Sequence, residues 1–136
     1  MKTASSVLDA SALLAYLKRE QGYKSMLAIL SAASAGEGRL LINEMNLGEV
    51  YYITAREVST AAARLFLDEI LPQLPITIAH NTLDDVIKAA EIKARLKMPY
   101  VDAFTVATAF QENALLVTCD SDFKRVEKEV KVHWLR

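Results

Sequence analysis

The sequence predicts an α/β fold, a three-layer α/β/α sandwich with a central, mainly parallel sheet of about five strands. Short apolar segments of strand length alternate along the chain with longer segments of helical periodicity. Only four glycines and three prolines occur in 136 residues, which favours long regular elements joined by short loops. Hydrophobic residues make up 52% of the chain, enough for a substantial core. We expect one domain over residues 1–136.

In the first half of the chain, short apolar strands are followed by helices. A Val-Leu pair between small residues predicts the first strand, and a Leu-Leu-Ile run predicts the second. Leucines and methionines at helical spacing predict the helices, of which one ends at glycines and another at a proline. The predicted elements, in order, are the strand Ser6–Asp9, the helices Ser11–Glu20 and Tyr23–Ala35, the strand Arg39–Asn43, and the helices Glu44–Glu57 and Ser59–Leu71.

The second half continues this alternation. An isoleucine-rich strand precedes an amphipathic helix, and the helix after that is apolar almost all round, so we expect it to lie centrally. The apolar stripe of the amphipathic helix is predicted to contain Leu83, Val86, Ile87, Ala90 and Ala94. The predicted elements, in order, are the strand Pro75–Ala79, the helices Leu83–Lys97 and Val101–Glu112, and the strands Leu115–Thr118 and Val130–Trp134.

Composition and charge exclude several classes of protein. Sixteen basic and seventeen acidic residues give a net charge of −1, so bulk charge does not indicate a nucleic-acid binder, although local patches or bound cations can attract polyanions. The single cysteine excludes an internal disulfide and a cysteine-rich zinc site, and fits the cytoplasm. No apolar run has membrane-spanning length, and Met1–Asp9 does not have the composition of a signal peptide.

Two acidic residues in the first half are open to a structural or a functional interpretation. Asp9 follows a strand and precedes a helix, where it suits an N-cap or a ligand site, with the hydroxyl of Ser11 two residues on. Glu49 has Met45 and Tyr52 beside it on its helix, so it lies either within an apolar stripe or at a solvated boundary.

Three acidic residues in the second half raise the same question. Asp102 is the only charged residue of its apolar helix before Glu112, and a buried carboxylate needs a cation or hydrogen-bond donors. A first-turn aspartate is also favoured by the helix dipole alone. Asp120 and Asp122 directly follow the strand Leu115–Thr118, where they suit either a helix cap or an oxygen-ligated cation site.

Together these acids predict one site. Asp9 and Asp120 end strands, while Glu49 and Asp102 lie on helices expected to pack beside those strands. In an open α/β sheet, ligands bind in the crevice outside the carboxyl ends of the strands. Several carboxylates there would repel one another unless a divalent cation neutralised them, and all-oxygen ligation suits Mg²⁺ or Mn²⁺. Such ions act on phosphate groups, which favours phosphoryl transfer.

Four segments, in this order, now give the chain a family resemblance. They are Val-Leu-Asp-Ala-Ser at 7–11, Met-Asn-Leu-Gly-Glu-Val-Tyr-Tyr at 45–52, Tyr-Val-Asp-Ala-Phe at 100–104, and Leu-Val-Thr-Cys-Asp-Ser-Asp-Phe at 116–123. The chain resembles the PIN-domain nucleases, specifically the VapC-like toxin ribonucleases of prokaryotic type II toxin–antitoxin pairs. The set spans nearly the whole chain, and one departure is Cys119, where glycine is common in the family.

The resemblance implies a Mg²⁺- or Mn²⁺-dependent endoribonuclease that acts on RNA in the cytoplasm, forms a homodimer and is inhibited by a cognate antitoxin. The implied catalytic residues are Asp9, Glu49, Asp102 and Asp120. The implied metal ligands are Asp9, Asp102, Asp120 and Asp122. Ser11 and Thr118 match hydroxyl positions that support the acids.

Two other classes of function remain as alternatives. A receiver or a haloacid-dehalogenase-like phosphatase is also an α/β phosphoryl-transfer domain, but the phosphatase requires a second aspartate at the position of Ser11. No glycine-rich phosphate loop is present. A PIN-like domain could instead act in RNA processing, or as a non-catalytic binding or regulatory partner, although the complete acidic quartet argues against loss of catalysis.

Other reactive or basic residues receive structural interpretations. Cys119 is expected to be a small core residue, and Trp134 to pack. His80 and His133 lack the spacing of metal ligands and are expected at the surface or at sheet ends. The basic helix end at Lys93–Lys97 suits either a contact with the RNA backbone or a solvated, dipole-favoured surface.

Overall fold

The computed structural model describes residues 4–136, so Met1–Thr3 of the segment judged not to be a signal peptide lie outside the described residues. Within that range, five strands form one sheet of order β3-β2-β1-β4-β5, and every neighbouring pair is parallel. This confirms the predicted α/β sheet. The strands are β1 (Ser5–Leu8), β2 (Arg39–Asn43), β3 (Ile76–Ala79), β4 (Leu115–Thr118) and β5 (Val132–Trp134).

Helices cover both faces of the sheet and so complete the three layers. Successive strand residues face opposite sides: Val7 and Leu116 belong to one apolar cluster, while Leu8 and Val117 belong to the other. The helices are α1 (Ala10–Leu17), α2 (Tyr23–Ser34), α3 (Glu44–Glu57), α4 (Thr60–Leu65), α5 (Leu83–Leu96) and α6 (Tyr100–Glu112). None of the helices in residues 4–136 is long and apolar enough to cross a membrane.

The fourth predicted helix is less regular than expected. Ser59 caps α4 as predicted, since its hydroxyl accepts a hydrogen bond from the Ala62 amide. The α-helical turns end at Leu65, and a π-helical segment, Phe66–Ile70, and a 3₁₀ turn, Leu71–Gln73, continue the chain. Pro72 lies inside this last turn, where its missing amide hydrogen costs nothing because the first amides of a helix have no partner within it.

The predicted buried face of α5 is wrong in part, since Val86 packs against the core as expected but Leu83 and Ile87 do not. Leu83 is 74% exposed and Ile87 is 48% exposed, whereas the residues fully inside are Ala89 and Ile92. The helix is therefore rotated by about one residue relative to the prediction, because it packs closely against α6 through the small side chain of Ala89. Apolar residues lie on both candidate stripes of α5, so periodicity alone could not distinguish the two.

Helix α6 is buried along most of its length, as predicted, and α3 packs against it through paired polar side chains. Asn43, the N-cap of α3, donates a hydrogen bond from Nδ2 to Thr108 Oγ1 over 3.0 Å. Three residues further along each helix, in opposite directions, Thr105 Oγ1 donates to Asn46 Oδ1 over 3.0 Å. The two helices are thus antiparallel, and these bonds fix their register.

One turn further along each helix in the same directions, the two helices carry carboxylic acids. Glu49 follows Asn46 by three residues on α3, and Asp102 precedes Thr105 by three residues on α6, so each acid lies on the same helix face as the hydrogen-bonded pair. The asparagine and threonine pairs therefore set the position of one acid relative to the other.

The Asn46–Thr105 pair yields a test of this interpretation. In the Thr105→Val variant the buried Asn46 carboxamide loses its partner, while its Nδ2 already has none among residues 4–136. We expect the free energy of unfolding to fall by about 1–3 kcal/mol, and the added Asn46→Leu substitution to restore most of that loss. Urea unfolding measures both values.

The matched control is Thr60→Val, which removes a hydroxyl at an exposed position of α4 and should change stability by no more than about 0.5 kcal/mol. Additive destabilisation by the two core substitutions would show that the pair does not couple α3 to α6.

Candidate active site

The acids lie at the point where the strand order of the sheet reverses. From β1 the chain proceeds to β2 on one side, while β4 pairs with β1 on the other, with Leu8 opposite Val117. The next residues of these strands, Asp9 and Thr118, therefore emerge side by side at the carboxyl edge. This reversal point is the usual location of ligand sites in open parallel sheets.

Asp9 is held rigidly at this edge. Its side chain is 2% exposed, and Oδ1 accepts a hydrogen bond from the Ala12 amide, which makes Asp9 the N-cap of α1. Ser11 Oγ donates to the carboxylate at 2.8 Å, and Thr118 Oγ1 donates to Oδ2 at 2.6 Å. Asp9 therefore both caps α1 and lies at the carboxyl edge where the site is predicted.

The two hydroxyls also position the chain after β4. Thr118 Oγ1 accepts a hydrogen bond from the Asp120 amide at 2.9 Å, and Ser11 Oγ accepts one from the Cys119 amide at 3.0 Å. Each hydroxyl donates a hydrogen bond to Asp9 and accepts one from a backbone amide just after β4. The structure therefore places Ser11 and Thr118 between the acid of β1 and the acid of β4.

Three carboxylates converge in front of this edge. Asp102, Asp120 and Asp122 each have a carboxylate oxygen within 4.8 Å of the others, a spacing at which one cation can contact all three. Asp102 is 7% exposed and comes from the first turn of α6. Asp120 Oδ1 also accepts the Asp122 amide, so the cap interpretation of Asp120 holds for the short 3₁₀ helix Ser121–Val126.

Asp9 and Glu49 stand beside this cluster and are not part of it. Glu49 is half-buried. Its pKa is raised mainly by this burial and also by the nearby charge of Asp120. Of the two interpretations of Glu49, the structure favours the solvated boundary over the apolar stripe, because Met45 and Tyr52 are 36% and 49% exposed. The partial burial of Glu49 arises where α3 packs on α6.

Burial raises the pKa of two acids, Asp9 and Asp102. Burial raises the pKa of Asp102 to about 7, and the charges of Asp120, Asp9, Glu49 and Asp122 add to that effect. Burial raises the pKa of Asp9 to about 6, although the hydrogen bonds from Thr118, Ala12 and Ser11 oppose it. A bound divalent cation would remove the penalty that keeps these groups protonated.

The donor set fits a hard cation. All ligands in the cluster are carboxylates, as Mg²⁺ and Mn²⁺ prefer, and neither histidine nor cysteine takes part among residues 4–136. His80 is exposed and contacts Glu44, away from these acids. The cluster lies on elements that the hydroxyls and the α3–α6 pairs hold in place, so it needs little rearrangement to bind an ion.

Asn46 and Thr105 were missed by the sequence interpretation. Both side chains are fully buried, and each lies three residues, about one helical turn, from its acid: Asn46 from Glu49 and Thr105 from Asp102. The signal in the sequence was a polar residue three positions from each acid, Asn46 before Glu49 and Thr105 after Asp102. It becomes informative only once the antiparallel packing of α3 on α6 is known.

The structure corrects the expectation for Cys119 and adds detail to the basic end of α5, whose role was left open. Cys119 is exposed at the end of β4 and is not a core residue. At this sheet edge its amide donates to Ser11 Oγ and its thiol donates to the Ser11 carbonyl. At the basic end of α5, Lys93 Nζ donates to the Met98 carbonyl and Arg95 pairs with Glu129. These two cations therefore have structural partners.

The raised pKa values predict how stability depends on pH. The unfolded chain releases the Asp102 proton near pH 3.8, while the folded chain retains it to about pH 7. Without divalent ions, the contribution of this group to the free energy of unfolding therefore decreases as pH rises between these values. We expect Asp102→Asn to gain stability relative to wild type between pH 5 and pH 8, measured by urea unfolding in a chelator.

Asp84→Asn is the matched control, because Asp84 is also a first-turn aspartate but lies exposed on α5. A stability difference between Asp102→Asn and wild type that does not vary with pH would contradict the raised pKa.

Comparisons with known proteins identify the family of the chain and proteins of similar fold. A family model described as PIN domain matches residues 6–129. The chain is similar in fold to VapBC2 from Rickettsia felis bound to a promoter DNA fragment, with 19% identity, a TM-score of 0.74, and coverage of 97% of this chain and 99% of that chain. It is also similar to VapC20 from Mycobacterium tuberculosis, described as a sarcin–ricin loop cleaving toxin, with 18% identity, a TM-score of 0.71, and coverage of 88% and 92%.

A third similar structure is DNA-bound VapBC from Salmonella typhimurium, with 14% identity, a TM-score of 0.73, and coverage of 96% and 97%. The comparison with curated protein sequences gives no significant match. At these identities the solved structures establish a common fold, whereas the family model spans most of the sequence. The chain belongs to the PIN domain family.

Proposed function

We propose that this protein is a metal-dependent endoribonuclease that hydrolyses RNA phosphodiester bonds. The observation that carries the proposal is the convergence of Asp102, Asp120 and Asp122 within 4.8 Å at the reversal point of the sheet. Asp9 and Glu49 flank this cluster and influence the pKa of Asp102 through their charges. A site with so many uncompensated carboxylates is expected to bind a divalent cation.

Mg²⁺ or Mn²⁺ is the proposed cofactor, held by Asp102, Asp120 and Asp122, with Asp9 as a further ligand or support. When bound, such an ion stabilises negative charge on the scissile phosphate and makes a water molecule more acidic. The chain's own contribution is to hold the carboxylates. Asp9, Ser11 and Thr118 fix the end of β4, and α6 presents Asp102.

Glu49 is proposed to orient the attacking water or to act as an additional ligand. It is half-buried, and its pKa is raised by burial and by Asp120, which makes it a stronger base than an exposed glutamate. Its position on the α3–α6 register places it next to Asp102 without making it part of the three-carboxylate cluster.

We further propose that the protein is the toxin of a toxin–antitoxin pair. Solved structures of the same fold include VapBC complexes bound to DNA and a toxin described as cleaving the sarcin–ricin loop. By analogy, an antitoxin protein would inhibit this chain, and two copies would form a homodimer in the cytoplasm. RNA is the substrate class favoured by the same analogy.

The proposal is tested with the Asp102→Asn variant, which keeps the shape of the side chain but loses a ligand charge. We expect RNA cleavage in Mg²⁺ or Mn²⁺ to fall by at least about 10²-fold, because the cation site loses its most buried carboxylate. Mn²⁺ should raise the melting temperature of wild type, and that gain should be lost in the variant.

Asp84→Asn again serves as the control, since it removes an exposed first-turn aspartate and should preserve both cleavage and the Mn²⁺ effect. Full cleavage by a well-folded Asp102→Asn protein would refute the assignment. Binding of RNA without cleavage by wild type would instead favour a non-catalytic binding or regulatory role.

A further inference from the structure

We propose that a cavity beside the acid cluster binds an unpaired base of the RNA strand by stacking on Trp134. The inference rests on the proposed ribonuclease function and adds to it a substrate subsite on this chain. The cavity measures about 220 Å³ and is lined by side chains including Cys119, Ser121, Lys124, Trp134 and Arg136. This volume is below the roughly 300–1,000 Å³ of sites for drug-sized ligands, so it suits one base.

The cavity adjoins the chain segment that carries Asp120. Cys119 and Ser121, which line it, are the residues immediately before and after Asp120. Trp134 ends β5 and pairs with Thr118, whose hydroxyl bonds both Asp9 and the Asp120 amide. A nucleotide in the cavity would therefore lie next to a phosphate held at the acids.

Trp134 has the exposure that stacking requires. Its side chain is partly buried and packs against the core, as the sequence predicted, and it also lines the cavity. An aromatic ring supported on one side by a core gives a rigid platform on which a base can stack without regard to sequence.

Lys124 and Arg136 supply the positive charge that the cavity needs for phosphates. Both are exposed, and neither forms an ion pair within residues 4–136. By contrast, Lys93 donates to the Met98 carbonyl, and Arg125 donates to the Lys97 carbonyl. Two unpaired cations and one aromatic ring beside a catalytic edge form the combination that binds single-stranded nucleic acid.

The test uses Asp102→Asn protein, which should bind RNA without cleaving it. Trp134 is the sole tryptophan of the chain, so intrinsic fluorescence reports on this cavity directly. We expect a short single-stranded RNA to quench that fluorescence and a fully paired duplex RNA not to, because duplex bases are already stacked. In fluorescence anisotropy with labelled RNA, Trp134→Leu should weaken binding about tenfold and Trp134→Phe much less.

The charge contribution is tested on the same background. Lys124→Ala and Arg136→Ala should each weaken RNA binding and reduce the salt dependence, by about 0.7 in the slope of log K against log salt. Lys88→Ala is the matched control, because Lys88 is an exposed lysine that lines a separate cavity between α5 and α6. We expect it to bind RNA as the parent does.

RNA binding with unchanged Trp134 fluorescence, equal quenching by duplex and single strand, or equal behaviour of Lys124→Ala and Lys88→Ala would overturn the subsite. Any of these results alongside metal-dependent cleavage by wild type refutes the subsite alone. Absence of cleavage by wild type refutes the proposed function instead. The fluorescence measurement uses the native tryptophan, so the result does not depend on whether Trp134→Leu folds.

Discussion

The hydroxyl of Thr118 is the interaction on which the arrangement of acids depends. It donates to Asp9 at the end of β1 and accepts the amide of Asp120 beyond the end of β4. Parallel pairing places these strand ends side by side, but it does not determine where the chain goes next. The Asp120 amide donates to Thr118 and the Cys119 amide donates to Ser11, and these two bonds turn the chain so that Asp120 and Asp122 face Asp102.

Bringing these carboxylates together is costly for an apoprotein. Asp9 and Asp102 are nearly inaccessible to solvent, and their raised pKa values express the free energy that burial adds to the charged form. The protein supports this arrangement from two directions, with hydrogen bonds to Asp9 and with the Asn43–Thr108 and Asn46–Thr105 pairs between α3 and α6. The proposed cation would explain why such an unfavourable charge cluster is built.

Much of the fold could be predicted from the sequence because its signals are local. Each strand is a short apolar run, Asp9 and Asp120 follow strands, and Asp102 stands out on an apolar helix. Helix rotation was predicted less well, as Leu83 and Ile87 show, since α5 has apolar residues on two overlapping stripes. The surroundings of Glu49 and the exposure of Cys119 depend on contacts between distant segments.

The remaining features depend on contacts between residues that are far apart in the sequence, which local patterns cannot predict. The roles of Asn46 and Thr105 depend on a hydrogen bond between residues that are 59 positions apart in the sequence. Similarly, Trp134 acquires a place beside the acids only because β5 pairs with β4 in parallel. Resemblance to a family identified the acids by position, whereas the hydrogen bonds that hold them could be read only from the structure.

The central claim is that Asp102, Asp120 and Asp122 form a divalent cation site. The most direct measurement is anomalous X-ray diffraction from crystals of the wild-type protein equilibrated with Mn²⁺. The account predicts an anomalous peak within direct coordination distance of carboxylate oxygens from all three residues. At saturating Mn²⁺, the absence of a peak between these carboxylates, or a peak only elsewhere on the protein, would contradict the account.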